Sequence, residues 1–286
     1  MPPLHLLLGL AIVVVWGTNF VVIHEGLRDF PPLLFAALRF ALAAFPAILF
    51  VTRPKIGWRN ILGYGLSIGA GQFGLLFIAM NGMIAPGLAS LVIQSQVFFT
   101  IGLSLAIHGE RVRPAQVAAL ALGATGLVII GTHGDGHTTP LGLALTLAAA
   151  LSWAAGNLIV RASRGAAMFP FVIWGSLGAV PPLLLLSLVF EGPQAIASSL
   201  ASASIGGWVA MAWQALGNTI FGFGAWAWLL SRYPAATVTP LALLVPVFGM
   251  GASSWLLGEP MPAWKLVAAA LVVGGLGLGM IRRRSA

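Results

Sequence analysis

The chain has 286 residues, of which 59% are hydrophobic and only 7% charged, with a mean hydropathy of +1.00. Soluble domains carry roughly 25% charged residues, so this inventory cannot furnish a solvated surface, and the chain reads as an all-α integral membrane protein. The net charge of +8 lies in the breaks between apolar runs, which makes it a mark of membrane topology and points away from nucleic acid.

Runs of about 20 apolar residues, the length that crosses a bilayer as a helix, recur from one end to the other. The first, Leu4 to Ile23, has no Lys or Arg before it and no small-residue cleavage site after it. It reads as a retained helix and not as a signal peptide. In chain order the predicted spans are 4–24, 32–52, 60–82, 86–107, 112–131, 140–161, 168–190, 206–231, 235–257 and 263–281. Pro opens several of them, at the first helical turn where its missing N–H costs nothing. Short polar breaks separate them, among them TRPKIGWR, GERVRP, HGDGHTTP, SRYPA and GEPMP, with a longer EGPQAIASSLASAS before the eighth. The absence of cysteine excludes disulfides and thiolate metal ligands.

Charge fixes the direction. With the N-terminus in the cytoplasm, the inner breaks hold Arg53, Lys55, Arg59, Arg111, Arg113, Arg161, Arg164, Arg232, Arg282, Arg283 and Arg284, against Arg28 and Lys265 outside. The acids mirror this: Glu25, Asp29, Asp135, Glu191 and Glu259 fall outside and Glu110 alone inside. This asymmetry predicts ten spans with both termini cytoplasmic, in a bacterial-type inner membrane.

The chain also resembles itself. Sliding it by 149 residues sets Gly109-Glu110 on Gly258-Glu259, with Phe99 on Phe248, Gly102 on Gly251 and Ser104 on Ser253. Trp16 and Asn19 in the first span correspond to Trp153 and Asn157 in the sixth. Two five-span halves, residues 1–133 and 138–286, are therefore expected. An odd number of spans in each half inverts one copy relative to the other, a plan that secondary transporters use with the substrate site between the repeats. Glu110 and Glu259 each precede a helix, where a carboxylate suits the positive end of the helix dipole and can cap free N–H groups.

The W-G-x-N of the first span, the G-L-A-S-L-V opening the fourth and the G-E-R-x-x-P-x-Q after it resemble EamA-type exporters of the drug/metabolite transporter superfamily. PPLLFAALRF and PLALLVPVFG extend the resemblance over nearly the whole chain. It implies a ten-helix basket working by alternating access, most similar to exporters of cysteine, O-acetylserine and related amino acids. Exporters of aromatic amino acids or aromatic drugs are the neighbouring alternative.

Polar side chains are costly in hydrocarbon, so those within spans are candidates to line a cavity. They are Trp16 and Asn19 in the first span, Gln72 with Phe73 and Phe77 in the third, Gln94 and Gln96 in the fourth, Trp153 and Asn157 in the sixth, and Gln214 and Asn218 in the eighth. Trp213 and Phe221 extend the last group. Amides and indoles around a cavity suit a neutral or zwitterionic amino acid. The same amides can equally serve as hydrogen-bond glue between helices. Pro240 and Pro246 in the ninth span free backbone carbonyls at membrane depth and mark a hinge. Trp58, Trp208 and Trp264 lie near span ends and fit the interfacial belt.

Arg39 is the one charge well inside a span, and no acid lies at comparable depth. A structural role is favoured, locking helices or snorkelling, over attraction of a substrate carboxylate. Gly65/Gly69 and Gly275/Gly279 have the small-xxx-small spacing of close helix contacts. Without a preceding strand such glycines are no nucleotide fingerprint, and GxxxxGK[ST] is absent, so no ATP, cofactor or metal is expected. His133, Asp135 and His137 make a poor metal site because glycines separate them. No acid lies mid-span to relay protons, which leaves facilitated diffusion, exchange or a subtler coupling. An intramembrane enzyme is disfavoured, since the His and acidic residues scatter into breaks. Oligomeric state is not readable, because glycine faces serve packing within and between subunits alike.

Overall fold

The computed structural model describes residues 1–45, 47–108, 114–133, 136, 138–163, 167–233 and 238–280, and among these the structure is helical throughout, without a strand. Helix α1 is Pro3–Gly26 and α2 is Pro32–Ala44, followed by a 3-10 turn at Ala47–Leu49. Helix α3 runs as Trp58–Tyr64, a π-helical stretch Gly65–Gly74, then Leu75–Met80. Helix α4 runs as Pro86–Val92, a 3-10 step Ile93–Ser95, then Gln96–His108. There follow α5 (Pro114–Thr132), α6 (Pro140–Ala162), α7 (Met168–Phe190) and α8 (Pro193–Ser202). Helix α9 comprises Ile205–Ala212, a second π-helical stretch Trp213–Phe223, and Gly224–Arg232. Helix α10 begins as the 3-10 segment Thr239–Leu244 and continues as Val245–Leu257; α11 is Ala263–Met280.

Seven of these stretches are long and apolar enough to cross a membrane, and an eighth if α8 and α9 are taken as one bent span. Leu241–Leu257 and Ala263–Leu278 are shorter apolar helices. Helices thus occupy each predicted span, with two departures. The segment EGPQAIASSLASAS is largely helical: Pro193 sits at the N-terminus of α8, and the chain then turns by 103° into α9. Helix α2 ends at Ala44, short of the predicted residue 52, two residues before Pro46, which lies outside the described residues. That early stop fits the restriction proline places on the residue before it.

Helix starts follow local chemistry. Pro stands in the first turn of α1, α2, α4, α6 and α8. The hydroxyls of Thr139 and Ser204 accept hydrogen bonds from the Gly142 and Gly207 N–H groups, capping α6 and α9. Helix α10 ends at Gly258, whose φ of +68° is the left-handed turn that glycine takes at no steric cost.

Without a hydrophobic drive between helices in lipid, close packing has to hold the bundle, and small residues permit it. The principal pairs are α5 with α11, α2 with α7, α1 with α10, and α3 with α6 and α7. At Gly65 a β-carbon would stand 2.7 Å from the Gly175 carbonyl oxygen of α7, so only glycine lets these two backbones meet. Gly275 meets the Ala119 carbonyl of α5 in the same way, at 2.8 Å.

Candidate functional site

The bundle encloses a cavity of about 540 Å³. Its walls come from α1, α3, α4, α6, α7, α9, α10 and α11; among the described residues α2, α5 and α8 contribute nothing. The lining descends to Val160, Met168, Trp226 and Leu276, at the end of the bundle where α6 stops and α7 starts. Buried Ile23 and Leu76 bound it toward the opposite end.

Of the candidates read from the sequence, Trp16, Asn19, Gln72, Phe73, Gln94, Gln96, Trp153, Asn157 and Asn218 line this cavity. Phe77 and Gln214 do not. Phe77 is fully buried one turn beyond Phe73, against the rings of Phe35 and Phe73. Gln214 lies behind Asn19: its Nε2 donates to Asn19 Oδ1 at 2.8 Å, and Asn19 Nδ2 donates to Gln214 Oε1 at 3.4 Å. Trp213 and Phe221 do not line the cavity; both are exposed, and Trp213 borders a separate pocket beside Glu25 and Asp29. Tyr64, Thr100, Phe223 and Trp226 also line it without having been singled out in the sequence.

The cavity amides fall into two groups. Asn157 Nδ2 donates to Gln96 Oε1 at 2.8 Å and to Thr100 Oγ1 at 3.2 Å, tying α6 to α4. Gln94 Nε2 donates to the Ala242 carbonyl at 3.4 Å, tying α4 to the 3-10 start of α10. These amides are glue as well as wall. Gln72 and Asn218 differ, since no described residue hydrogen-bonds to either side-chain amide. Both amides stand in π-helical stretches, Gln72 in α3 and Asn218 in α9. Single-turn π geometry recurs at functional sites because it turns backbone groups and side chains out of the regular ladder. Here it leaves the Asn218 carbonyl to accept from Trp16 Nε1 at 3.4 Å, while the Thr219 hydroxyl donates to the Gln214 carbonyl five residues back.

Trp16 also stacks obliquely on Phe223 and Trp226, with centroids 5.3 and 5.1 Å away, so the lower cavity is strongly aromatic. Among the described residues no Asp or Glu lines it. Pro246 is buried in the first turn of the α-helical part of α10, directly after the 3-10 segment that contains Pro240, so helix type changes between the two prolines.

The end of the bundle away from the arginine-rich breaks is tied by carboxylates. Glu191, at the end of α7, accepts the Leu33 and Leu34 N–H groups of α2 at 2.6 and 3.0 Å, and the Ser187 hydroxyl donates to it. Glu259 accepts the Gly87 N–H of α4 at 2.9 Å and pairs with buried Lys265 at 2.9 Å. Glu259 was expected to cap α11, the helix it precedes. It caps α4 instead, 172 residues away, after the left-handed turn at Gly258. Asp29 accepts from the Ser204 hydroxyl at 2.6 Å, joining the loop after α1 to the start of α9. Glu110, the other half of that sequence pair, lies outside the described residues, as do Asp135 and His137. His133 stacks on Trp264 and bonds the Ile129 carbonyl.

Residues 3–132 and 140–280 match the model of the EamA-like transporter family. The chain belongs to the EamA-like transporter family. It is 46% identical over 275 residues to a probable amino-acid metabolite efflux pump of Salmonella typhimurium, covering 94% of this chain and 92% of that one. It is 43% identical over 283 residues to the Escherichia coli K12 protein of the same description, covering 97% and 95%. A crystal structure superposes with a TM-score of 0.63 over 98% of both chains at 21% identity, a likeness of fold alone. This EamA-family chain is therefore a transporter and not an enzyme.

Proposed function

We propose that the chain exports neutral amino acids and related small metabolites across a bacterial inner membrane by alternating access through the cavity. The observation that carries this is the cavity itself: about 540 Å³, walled by uncharged amides, aromatic rings and aliphatic side chains. A pocket of that size holds a small zwitterion, its polar ends met by amides and its side chain by rings. The names of the two efflux-pump relatives support the substrate class.

In this reading α8 and α9 form one span, and the two shorter apolar helices cross as well, giving ten spans in two inverted halves, 1–133 and 138–286. Support comes from the family match in two stretches and from the twinning of irregularities. The π-helical segment of α3 has its counterpart in α9, and the 3-10 break of α4 in α10. Both termini are cytoplasmic by the excess of Lys and Arg at that end. The cavity then faces the cytoplasm, and the Glu191, Glu259 and Asp29 contacts seal the outer face. Gln72 and Asn218, one from each half, contact the substrate. The change of helix type at Pro246 serves as the hinge. No described carboxylate lines the path, so transport follows the metabolite gradient or exchanges one substrate for another.

A second reading, in which aromatic amino acids are the cargo, draws on Trp16, Phe73, Trp153, Phe223 and Trp226 in the lining. Purified protein in liposomes preloaded with labelled amino acids separates the two. Exit of small polar amino acids, competed weakly by aromatic ones, supports the first reading, and the reverse order supports the second. Protein-independent exit for every amino acid would remove both.

A further inference from the structure

Arg39 is fully buried in α2, and its Nη2 donates to Thr219 Oγ1 of α9 at 2.8 Å. The guanidinium lies over the Phe73 ring, 3.8 Å from its centroid, with Phe40 at 4.7 Å. Its Nε and Nη1 donors, both buried, have no hydrogen-bond partner. A guanidinium is never discharged under ordinary conditions, and a lone cation inside a membrane protein is costly unless an acceptor meets it. The rings supply part of that compensation, but they leave two strong donors unused.

The position of this cation relative to the cavity decides its use. Phe40, Phe73 and Thr219, three of its neighbours, line a small chamber of about 10 Å³, room for one water molecule. That chamber shares Tyr64, Ile68, Phe73, Val172 and Phe223 with the main cavity. Thr219 is the residue after Asn218, whose amide stands free in the cavity wall. Phe73, the ring over which the guanidinium lies, thus lines both the chamber and the main cavity.

We propose that Arg39 is the receiving group for the substrate's carboxylate, reached from the cavity when the Phe73 ring swings aside. The idle Nε and Nη1 donors lie on different edges of the guanidinium, each beside Nη2, so the two oxygens of a carboxylate pair with the remaining Nη2 hydrogen and the idle donor next to it. The chamber as it stands is too small for that group, so the ring movement is part of binding. The substrate's ammonium then remains in the main cavity near Gln72 and Asn218. This assignment rests on the exporter reading, and it revises the structural role that the sequence alone favoured for Arg39.

The test is counterflow of a labelled amino acid into liposomes holding the purified wild-type chain. Competitors share one side chain and differ only in their end group: the free acid, its carboxamide and the decarboxylated amine. The acid competes roughly 10- to 100-fold better than the amide in the wild type, the range expected for a charge-assisted pair. Arg39→Gln brings that ratio close to one, and Arg39→Lys, which keeps the charge and loses the fork, leaves it in between. A merely structural arginine would lower the amount of active protein and leave the ratio unmoved. Equal competition by acid and amide in the wild type overturns the assignment, whatever becomes of the variants, while leaving the exporter reading standing. An unchanged ratio in folded Arg39→Gln overturns it too. Absence of counterflow for any amino acid would remove the exporter reading and this assignment together.

Discussion

Replacing Glu259 by Ala removes one carboxylate from two partners at once. It leaves the Lys265 ammonium, 1% exposed, without the group 2.9 Å from it, and frees the Gly87 N–H at the start of α4. At 2.9 Å and an effective dielectric constant of about 20, the pair attracts by roughly 6 kcal/mol, most of it offset by desolvation of both ions. Deleting one member of a buried pair typically costs about 3–5 kcal/mol, because the survivor stays buried, and loss of a helix cap adds up to about 2 kcal/mol. These costs overlap, so the expected destabilisation is about 4 kcal/mol, a fall in melting temperature on the order of 10 °C for a chain of this size. The assay is thermal unfolding of the purified protein in detergent, read by tryptophan fluorescence. The double variant Glu259→Ala/Lys265→Met is expected to melt above Glu259→Ala, since it removes a buried ammonium that has lost its carboxylate. A single variant within about 2 °C of wild type, or a double variant no better than the single, would refute this account of the Glu259 end of the bundle.

Three further outcomes follow from the cavity and its supports. Gln72→Leu and Asn218→Leu, which break no hydrogen bond inside the protein, are expected to raise the transport KM about 3- to 10-fold each while leaving the melting temperature within a few degrees, checked by liposome uptake alongside unfolding. Gln214→Leu strands the buried Asn19 amide and is expected to lower stability by about 1–3 kcal/mol, read in the same melting assay. Gly65→Val forces a β-carbon onto the Gly175 carbonyl and is expected to cost about 3 kcal/mol or more, seen as loss of monodisperse protein on gel filtration.

Hydropathy made the spans legible because a bilayer demands continuous apolar length, and Pro at helix starts placed their beginnings. The cavity candidates were legible for a related reason: an amide such as Asn157 or Gln72 within hydrocarbon must face either another helix or a pocket. Residue type could not say which. Gln214 and Asn218 stand four residues apart in the π-helical stretch of α9, yet Asn218 lines the cavity while Gln214 is held behind Asn19 by paired amide hydrogen bonds. Phe77 was misjudged in a similar way, one turn past the π-helical part of α3 and claimed by Phe35. The partner of Glu259 was hidden because it lies 172 residues away, in a contact that only the packing of α4 against α10 creates. Arg39 shows the same limit. Its depth was visible in the sequence, but its two idle donors and the ring over it were not.

The account's central claim is that the cavity is the substrate path and faces the arginine-rich end. The chain has no cysteine, so Asn218→Cys introduces a single thiol into the wall. A membrane-impermeant maleimide, applied to inside-out and to right-side-out vesicles, reads its exposure from each face. The account predicts faster labelling from the cytoplasmic face, slowed by the transported amino acid and accompanied by loss of transport. Equal labelling from both faces, unaffected by substrate and without effect on transport, would contradict it.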